Sequence, residues 1–398
     1  MKKILLVTTV PSTIRSFLLP LADRLRQDKW IVHAMASGIT EQHALTNHFD
    51  MLWDIDFSRD PMRAIPRIPA SLRRIEQILE KEKYAIVHTH TPIASMMIRF
   101  GASRVPATAR PKVIYTAHGF HFHSEGGRLS NLMYFEAEKV AARWTDMLLV
   151  INEEDYANAV KKNLISAGRI KKIPGIGVDV SCFDPERYTE RDVLEKQKEL
   201  GIPSEKKIFL FPAEFNPGKR HIDAIEAMEL TRREDASLLF AGSGKLEDAM
   251  KKYVEKRALC GQVKFLGDQE DIPLLLKMSI ALISPSLREG LPRVILEAMS
   301  MNTPVIATDI RGSRDLLKSG CGMLVPPRSP QHLANAMTWI LENEEEAKQM
   351  GMKGRPAVLR TYDEEVVLAR QKQIIDELIN EPALRNTVDP AQTDHDSS

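Results

Sequence analysis

Short apolar runs alternate with segments of helical period from the first residues onward. Ile4–Thr9, Ile31–Ala36, Ala85–His88, Val113–Ala117 and Met147–Ile151 have strand length, whereas Ser16–Gln27 sets Phe17, Leu18, Leu21 and Leu25 at helical spacing. Ser71–Lys83, Ile93–Phe100 and Asn131–Arg143 predict further helices between those strands. Buried strands separated by helices predict a parallel sheet covered on both faces.

A second series begins near Ile208. Its strands are Ile208–Pro212, Leu238–Ala241, Val263–Leu266, Ile280–Ser284, Val305–Thr308 and Met323–Val325. Helical patterns fall at His221–Leu230, Leu246–Cys260, Arg293–Met301 and Gln331–Glu342. Between the series, Ile173-Pro174-Gly175-Ile176-Gly177-Val178-Asp179 reads as a linker. The chain is therefore expected to be α/β, with two Rossmann-like, doubly wound domains facing a cleft at their strand ends. The expected division is 1–172 and 173–361, with a helix at about 362–380 packing back on the first domain. The polar segment Ala383–Ser398 has little to bury and is expected to be disordered.

Composition narrows this picture. The 398 residues are 43% hydrophobic and 27% charged, which excludes wholesale disorder. A net charge of +1 excludes a polycation built to coat nucleic acid. That total hides an asymmetry: residues 1–180 carry 25 Lys/Arg against 18 Asp/Glu, and the remainder 30 against 36. The first half is thus basic, Arg63, Arg67, Arg73 and Arg74 included, and suits anionic headgroups or phosphates; it also carries a Leu132/Met133/Phe135 apolar stretch. Cys182, Cys260 and Cys321 are too few and too scattered for a disulfide framework and read as small buried hydrophobes in a reducing compartment. No apolar run approaches the ~18–20 residues of a membrane span. The start, Met1-Lys2-Lys3-Ile4-Leu5-Leu6-Val7, stops being apolar at Thr8-Thr9 and reads as the first strand of a cytoplasmic protein.

Several motif-like stretches fail on their neighbours. Gly242-Ser243-Gly244-Lys245 has Leu239 and Leu246 where a phosphate loop needs Gly and Ser or Thr, and Glu247 where a dinucleotide fingerprint needs Gly. Gly175-Ile176-Gly177 fails with Val180. Asp54-Ile55-Asp56 reads as acidic surface, and neither His88-Thr89-His90 nor His118, His121 and His123 come with a completing thiol or carboxylate signature, so no metal is expected.

The chemistry concentrates between Ser284 and Met299. A strand ends at Ser284, a Gly/Pro loop follows, and an apolar helix starts near Pro292, which suits a first turn. The amides of Gly290, Leu291 and Arg293 can face outward there as an anion site for a phosphate or diphosphate. Glu289 and Glu297 bracket it, and carboxylates accept paired hydrogen bonds from vicinal hydroxyls. A diphosphate flanked by hydroxyl acceptors outlines a nucleotide sugar.

Here the sequence resembles the retaining GT-B glycosyltransferases of group 1, whose E-x7-E signature sits within E-G-x-P-x-x-x-x-E-A-M, matched from Glu289 to Met299. The similarity continues through Thr303–Thr308, Gly312 and Gly322–Pro326, and upstream through Gly242–Gly244 and Val263–Gly267. Tyr115–Phe122 and Asn152–Tyr156 resemble the capsule and exopolysaccharide branch. The resemblance implies that Glu289 holds hydroxyls of the donor sugar and Glu297 the ribose hydroxyls. It implies that the Gly290–Leu291 backbone binds the diphosphate with Lys219, that His118 reaches the reaction centre, and that Phe265 to Gly267 line the base pocket. One departure is Glu214, where the family commonly has Arg: either Arg220 or another cation substitutes, or Glu214 contacts sugar or acceptor.

The expected activity is transfer of a sugar from a nucleoside diphosphate, a UDP-hexose or UDP-N-acetylhexosamine, to a lipid-linked saccharide, with anomeric retention. No cofactor or metal is expected, and the protein is expected in the cytoplasm, peripheral at the inner membrane face. Two other readings share the architecture: a sugar-nucleotide epimerase, and a non-catalytic nucleotide-sugar-binding subunit.

Overall fold

The computed structural model describes residues 2–57, 65–122 and 127–381. The expected disordered tail, Arg63 and His123 lie outside the described residues. Seven parallel strands form the first sheet: β1 (Lys3–Val7), β2 (Ile31–Ala36), β3 (Met51–Asp54), β4 (Ile86–Thr89), β5 (Lys112–Ala117), β6 (Met147–Val150) and β7 (Ile170–Lys172), in the order β3-β2-β1-β4-β5-β6-β7. Six more form the second: β8 (Lys207–Pro212), β9 (Ala236–Ala241), β10 (Val263–Phe265), β11 (Ala281–Ser284), β12 (Val305–Thr308) and β13 (Gly322–Val325), in the order β10-β9-β8-β11-β12-β13. Strand order reverses between β1 and β4 and between β8 and β11, and such switch points open ligand crevices at the carboxyl ends of strands. Every pairing is parallel; Leu6, for example, lies between Ala34 and His88.

The periodicity marks the buried central strands and also the edge strands β10 and β13, which have one buried residue each. The edge strands β3 and β7 escape it: Met51–Asp54 has no buried residue, and in Ile170–Lys172 two lysines follow the single buried Ile170. The helix expected at Ser16–Gln27 is broken into Pro11–Phe17 and Leu19–Gln27. Pro20 has no N–H to donate to the Ser16 carbonyl and its ring crowds that group. The pattern at Leu246–Cys260 stops as a helix at Lys256, two residues before Ala258 enters the left-handed region at φ 57°. Of the cysteines, Cys321 is buried, Cys182 half-buried and Cys260 exposed.

Each sheet has its own apolar core, and the chain crosses between them twice, side by side. Val178 N–H donates to the Tyr362 carbonyl and Glu364 N–H to the Val178 carbonyl, at 2.9 and 3.0 Å. Gly177, at φ 78°, permits this approach: a Cβ there would sit 2.7 Å from Glu364 Cα. After the second crossing, the helix Glu364–Asn380 places Leu368, Ile374, Ile375 and Leu378 among Ile4, Leu6, Leu21, Leu25 and Ile114 of the first core. Lys112 Nζ donates to the carbonyls of Leu378 and Glu381, satisfying the helix C-terminus with the charge sign its dipole favours.

Candidate active site

Two loops of the second sheet converge at its switch point. The loop after β8 carries Lys219 and the loop after β11 carries Glu289. Leu287 N–H donates to the Gly218 carbonyl at 2.8 Å, which ties the loops together beside both residues. Lys219 Nζ then lies 2.5 Å from Glu289 Oε1, with both side chains partly shielded from water. Among the described residues the amides of Gly290 and Leu291 find no protein acceptor. They sit immediately before the helix Arg293–Ser300, whose N-cap is Pro292. A cation, two free amides and a helix N-terminus therefore belong to these two joined loops, and such groups bind multiply charged anions.

Glu297 lies one turn inside that helix, 9% exposed, with Arg293 Nε 3.0 Å from its Oε1. Burial raises its pKa, and the neighbouring Arg293 opposes that rise. Arg293 also donates from Nη1 to the Ser16 carbonyl at 3.2 Å. This is the carbonyl that Pro20 leaves without its helical donor, so the break in the first helix supplies an acceptor for the second domain.

The loop holding Glu289 is fastened to the first domain by Arg311, which the sequence reading did not single out, and by residues of the Asn152–Tyr156 and Tyr115–Phe122 stretches, to which it gave no such role. Arg311, 5% exposed, opens the helix Arg311–Leu317. Its guanidinium donates to Asp155 Oδ1 at 2.7 Å, to the Phe120 carbonyl at 2.9 Å and to the Glu289 carbonyl at 3.1 Å. Asp155 is fully buried and also accepts from Asn152 Nδ2 and Phe120 N–H, at 2.8 and 3.1 Å. Asn152 Nδ2 reaches the Gly290 carbonyl as well, at 3.1 Å. Removal from water raises the pKa of Asp155, with Arg311 the largest opposing influence. Gly290 has to be glycine: a Cβ would overlap the His118 carbonyl, and a Cβ at Gly312 would overlap the carbonyl of Gly290. Leu291 then packs into the cores of both domains.

His118 follows β5 and is thus brought against Gly290 through its backbone. Its Nε2 lies 3.1 Å from His90 Nδ1, and its ring stands 5.3 Å from that of Phe17. His90 is in turn 4.1 Å, ring to ring, from His88, whose Nε2 meets Thr116 Oγ1 at 2.7 Å. Burial pushes His118 down to about 4 and His88 down to about 3, and holds His90 well below its ordinary value. All three rings are neutral at pH 7. His121 stands apart, its ring 5.0 Å from that of Tyr134.

On the far side, Gly242 N–H donates to the Gly267 carbonyl and Phe215 N–H to the Ser243 carbonyl, at 2.7 and 2.9 Å. Those bonds line up the ends of β8, β9 and β10. Phe265 stacks on Phe215 there, with ring centroids 5.7 Å apart, and the space over the Gly267 α-carbon is open. Arg220 is held by Asp223 through two hydrogen bonds of 2.5 and 3.0 Å, so its side chain is not directed at Glu289. Glu214 is exposed and accepts from Asn216 at 3.0 Å. Asp54 accepts from Gly38 N–H at 2.9 Å and Asp56 from Arg67 at 2.8 Å.

No helix among the described residues is long and apolar enough to cross a membrane. Two parallel-sheet domains with this loop between them define a GT-B fold. The solved structure of Anabaena HepE in complex with UDP and glucose has a TM-score of 0.78 over 95% of this chain and 100% of that one, at 19% identity. Residues 192–356 match the family described as glycosyl transferases group 1, and residues 16–181 match glycosyltransferase family 4. EpsD, a protein of Bacillus subtilis (strain 168) carrying a provisional glycosyltransferase name, is 34% identical over 90% of this chain and 92% of its own. An Escherichia coli protein named UDP-Gal:alpha-D-GlcNAc-diphosphoundecaprenol alpha-1,3-galactosyltransferase is 31% identical over 69% of this chain and 70% of its own. The chain belongs to the group 1 glycosyltransferases.

Proposed function

We propose that the chain transfers a hexose or N-acetylhexosamine from its UDP derivative to a lipid-linked saccharide, with retention, in bacterial exopolysaccharide or capsule synthesis. The observation that carries this reading is the 2.5 Å pair of Lys219 and Glu289 beside the free amides of Gly290 and Leu291. Each group has a use in a bound nucleotide sugar. The diphosphate takes Lys219 and the amides, the sugar hydroxyls take Glu289, the ribose hydroxyls take Glu297, and the base lies against Phe265 and Gly267. Arg220, bound to Asp223, acts indirectly by shaping the start of the helix His221–Thr231.

In the reaction the bond from C1 of the sugar to the β-phosphate oxygen breaks, and its electron pair goes to that oxygen. Lys219 and the amides stabilise the developing charge, so no metal is needed. The acceptor oxygen attacks C1 from the same face, and its proton passes to the departing phosphate oxygen. His118, neutral, positions the acceptor or the donor sugar by hydrogen bonding.

The first domain, 1–172, takes the acceptor, and residues 173–361 take the donor. Support for a lipid-linked acceptor comes from the substrate in the name of the Escherichia coli relative and from the basic first half of the chain. A protein of this kind works in the cytoplasm at the inner face of the membrane. The test is substitution of Glu289 or Lys219 by alanine in protein that keeps its melting transition: transfer is lost in both, and full activity in either sinks the assignment.

A further inference from the structure

Away from the donor loops, the first domain holds a pocket of about 300 Å³ between the helices Pro92–Arg104 and Arg128–Ala142. Ile68, Pro92, Ile93, Met96, Phe120 and Ala137 form much of its apolar wall. Apart from the Tyr134 hydroxyl, the polar groups that reach it are engaged with protein partners. Glu138 accepts from Arg99 at 2.9 Å and from the Tyr115 hydroxyl at 3.1 Å, Asp56 accepts from Arg67, and His121 lies against Tyr134. A polar ligand would find few unmet partners, whereas an apolar one would be covered by carbon and by adaptable methionine.

The surroundings say which apolar ligand. At 3.6 residues per turn, Leu129, Met133 and Val140 form a stripe next to the pocket-facing Ala137, and they are 83%, 60% and 43% exposed. Arg128, Lys139 and Arg143, also exposed, run along the same helix on the other side of that stripe, with one exposed carboxylate, Glu136, between stripe and cations. An exposed apolar stripe edged with cations suits a surface of anionic headgroups and chains. The pocket also adjoins the reaction site, because Phe120 in its wall is two residues from His118 and gives its carbonyl to Arg311.

We propose that this pocket holds the proximal part of the acceptor's hydrocarbon chain, an isoprenoid or acyl chain, while the saccharide it carries extends towards His118. The assignment rests on the lipid-linked reading above. The test uses the full chain and a chain-bearing dye without sugar, dansyl-undecanoic acid, with dansylglycine as the chainless control. One saturable site is expected for the long-chain dye and none for the control, with displacement by farnesyl phosphate but not by UDP. Ala137→Trp weakens binding at least tenfold, and Met96→Trp, filling the pocket from the other helix, does the same if the first variant fails to fold. Glu289→Ala leaves dye binding unchanged, so loss of the transferase reading and loss of the pocket are read separately. Absence of saturable binding, displacement by UDP, or unchanged affinity in a folded pocket-filling variant overturns the proposal, as does binding of the dye only to a dimer of the chain.

Discussion

Arg311 Nη1 donates to Asp155 Oδ1 at 2.7 Å, and this buried pair joins the second domain to the first directly behind Glu289. A buried ion pair does not make a protein stable by its charge alone, since desolvation offsets much of the attraction. Its effect here is geometric. The same guanidinium holds the carbonyls of Phe120 and Glu289, so one planar fork fixes the donor loop relative to the strand end that carries His118.

Arg311→Lys keeps the charge and loses the fork. One ammonium cannot meet three acceptors in this geometry. We expect a drop in kcat of about tenfold, with a smaller change in the KM for the nucleotide sugar. Arg311→Ala leaves Asp155 buried and unpaired and is expected to cost about 3–5 kcal/mol of stability. Thermal unfolding and steady-state kinetics on the two variants separate the effects, and unchanged kcat in Arg311→Lys contradicts the positioning role.

Lys219→Ala removes the side-chain cation paired with Glu289 and is expected to lower kcat by about 10²–10³, the range seen for a single group stabilising developing charge. Glu289→Gln keeps shape and loses charge; it should weaken the donor's KM as well as kcat, because the amide nitrogen cannot accept from a sugar hydroxyl. Initial-rate measurements across donor concentrations check both.

Gly290→Ala tests the contact between the domains. The added methyl overlaps the His118 carbonyl, which is backbone and cannot swing aside. Loss of transfer is expected together with a lower melting temperature, while a substitution at exposed Arg288 changes neither. Retained activity in Gly290→Ala means that the domains do not meet here in the working enzyme.

His88 gives a pH dependence with a defined sign. Its folded value of about 3 lies below its ordinary 6.5, so the unfolded chain binds the extra proton between those values. Stability is complete above about pH 6.5 and is lost as pH falls through that window. By pH 5 the loss from this one residue is on the order of 2 kcal/mol. His88→Phe should narrow the gap between melting temperatures at pH 7 and pH 5; an unchanged gap means that another group carries it.

Much of this architecture is legible in the sequence because fully buried parallel strands must be apolar runs, and twelve-residue helices must repeat near 3.6. Edge strands β3 and β7 need no such run and are found only by their pairing. Pro20 does announce the broken helix, but its consequence, the Ser16 carbonyl turned to Arg293, depends on a residue 277 positions away. Glu289, Glu297 and Lys219 are reached through motif resemblance, and Lys219 and Glu289 do meet in space. Arg311 is not reached, although it adjoins Gly312, and Asp155 is reached only as part of the Asn152–Tyr156 stretch, with no role attached to it. Nothing local distinguishes a buried arginine from a solvated one; the distinction is made by the partner that the other domain brings.

The central claim is sugar transfer with retention to a lipid-linked acceptor. Its most direct test is NMR of the product formed from a panel of α-linked UDP-hexoses and UDP-N-acetylhexosamines with a lipid-diphosphate-linked sugar. An α-configured glycoside growing at the acceptor, absent with Glu289→Ala, is the result expected here. A β-configured product, or an epimerised free nucleotide sugar without transfer, would contradict it.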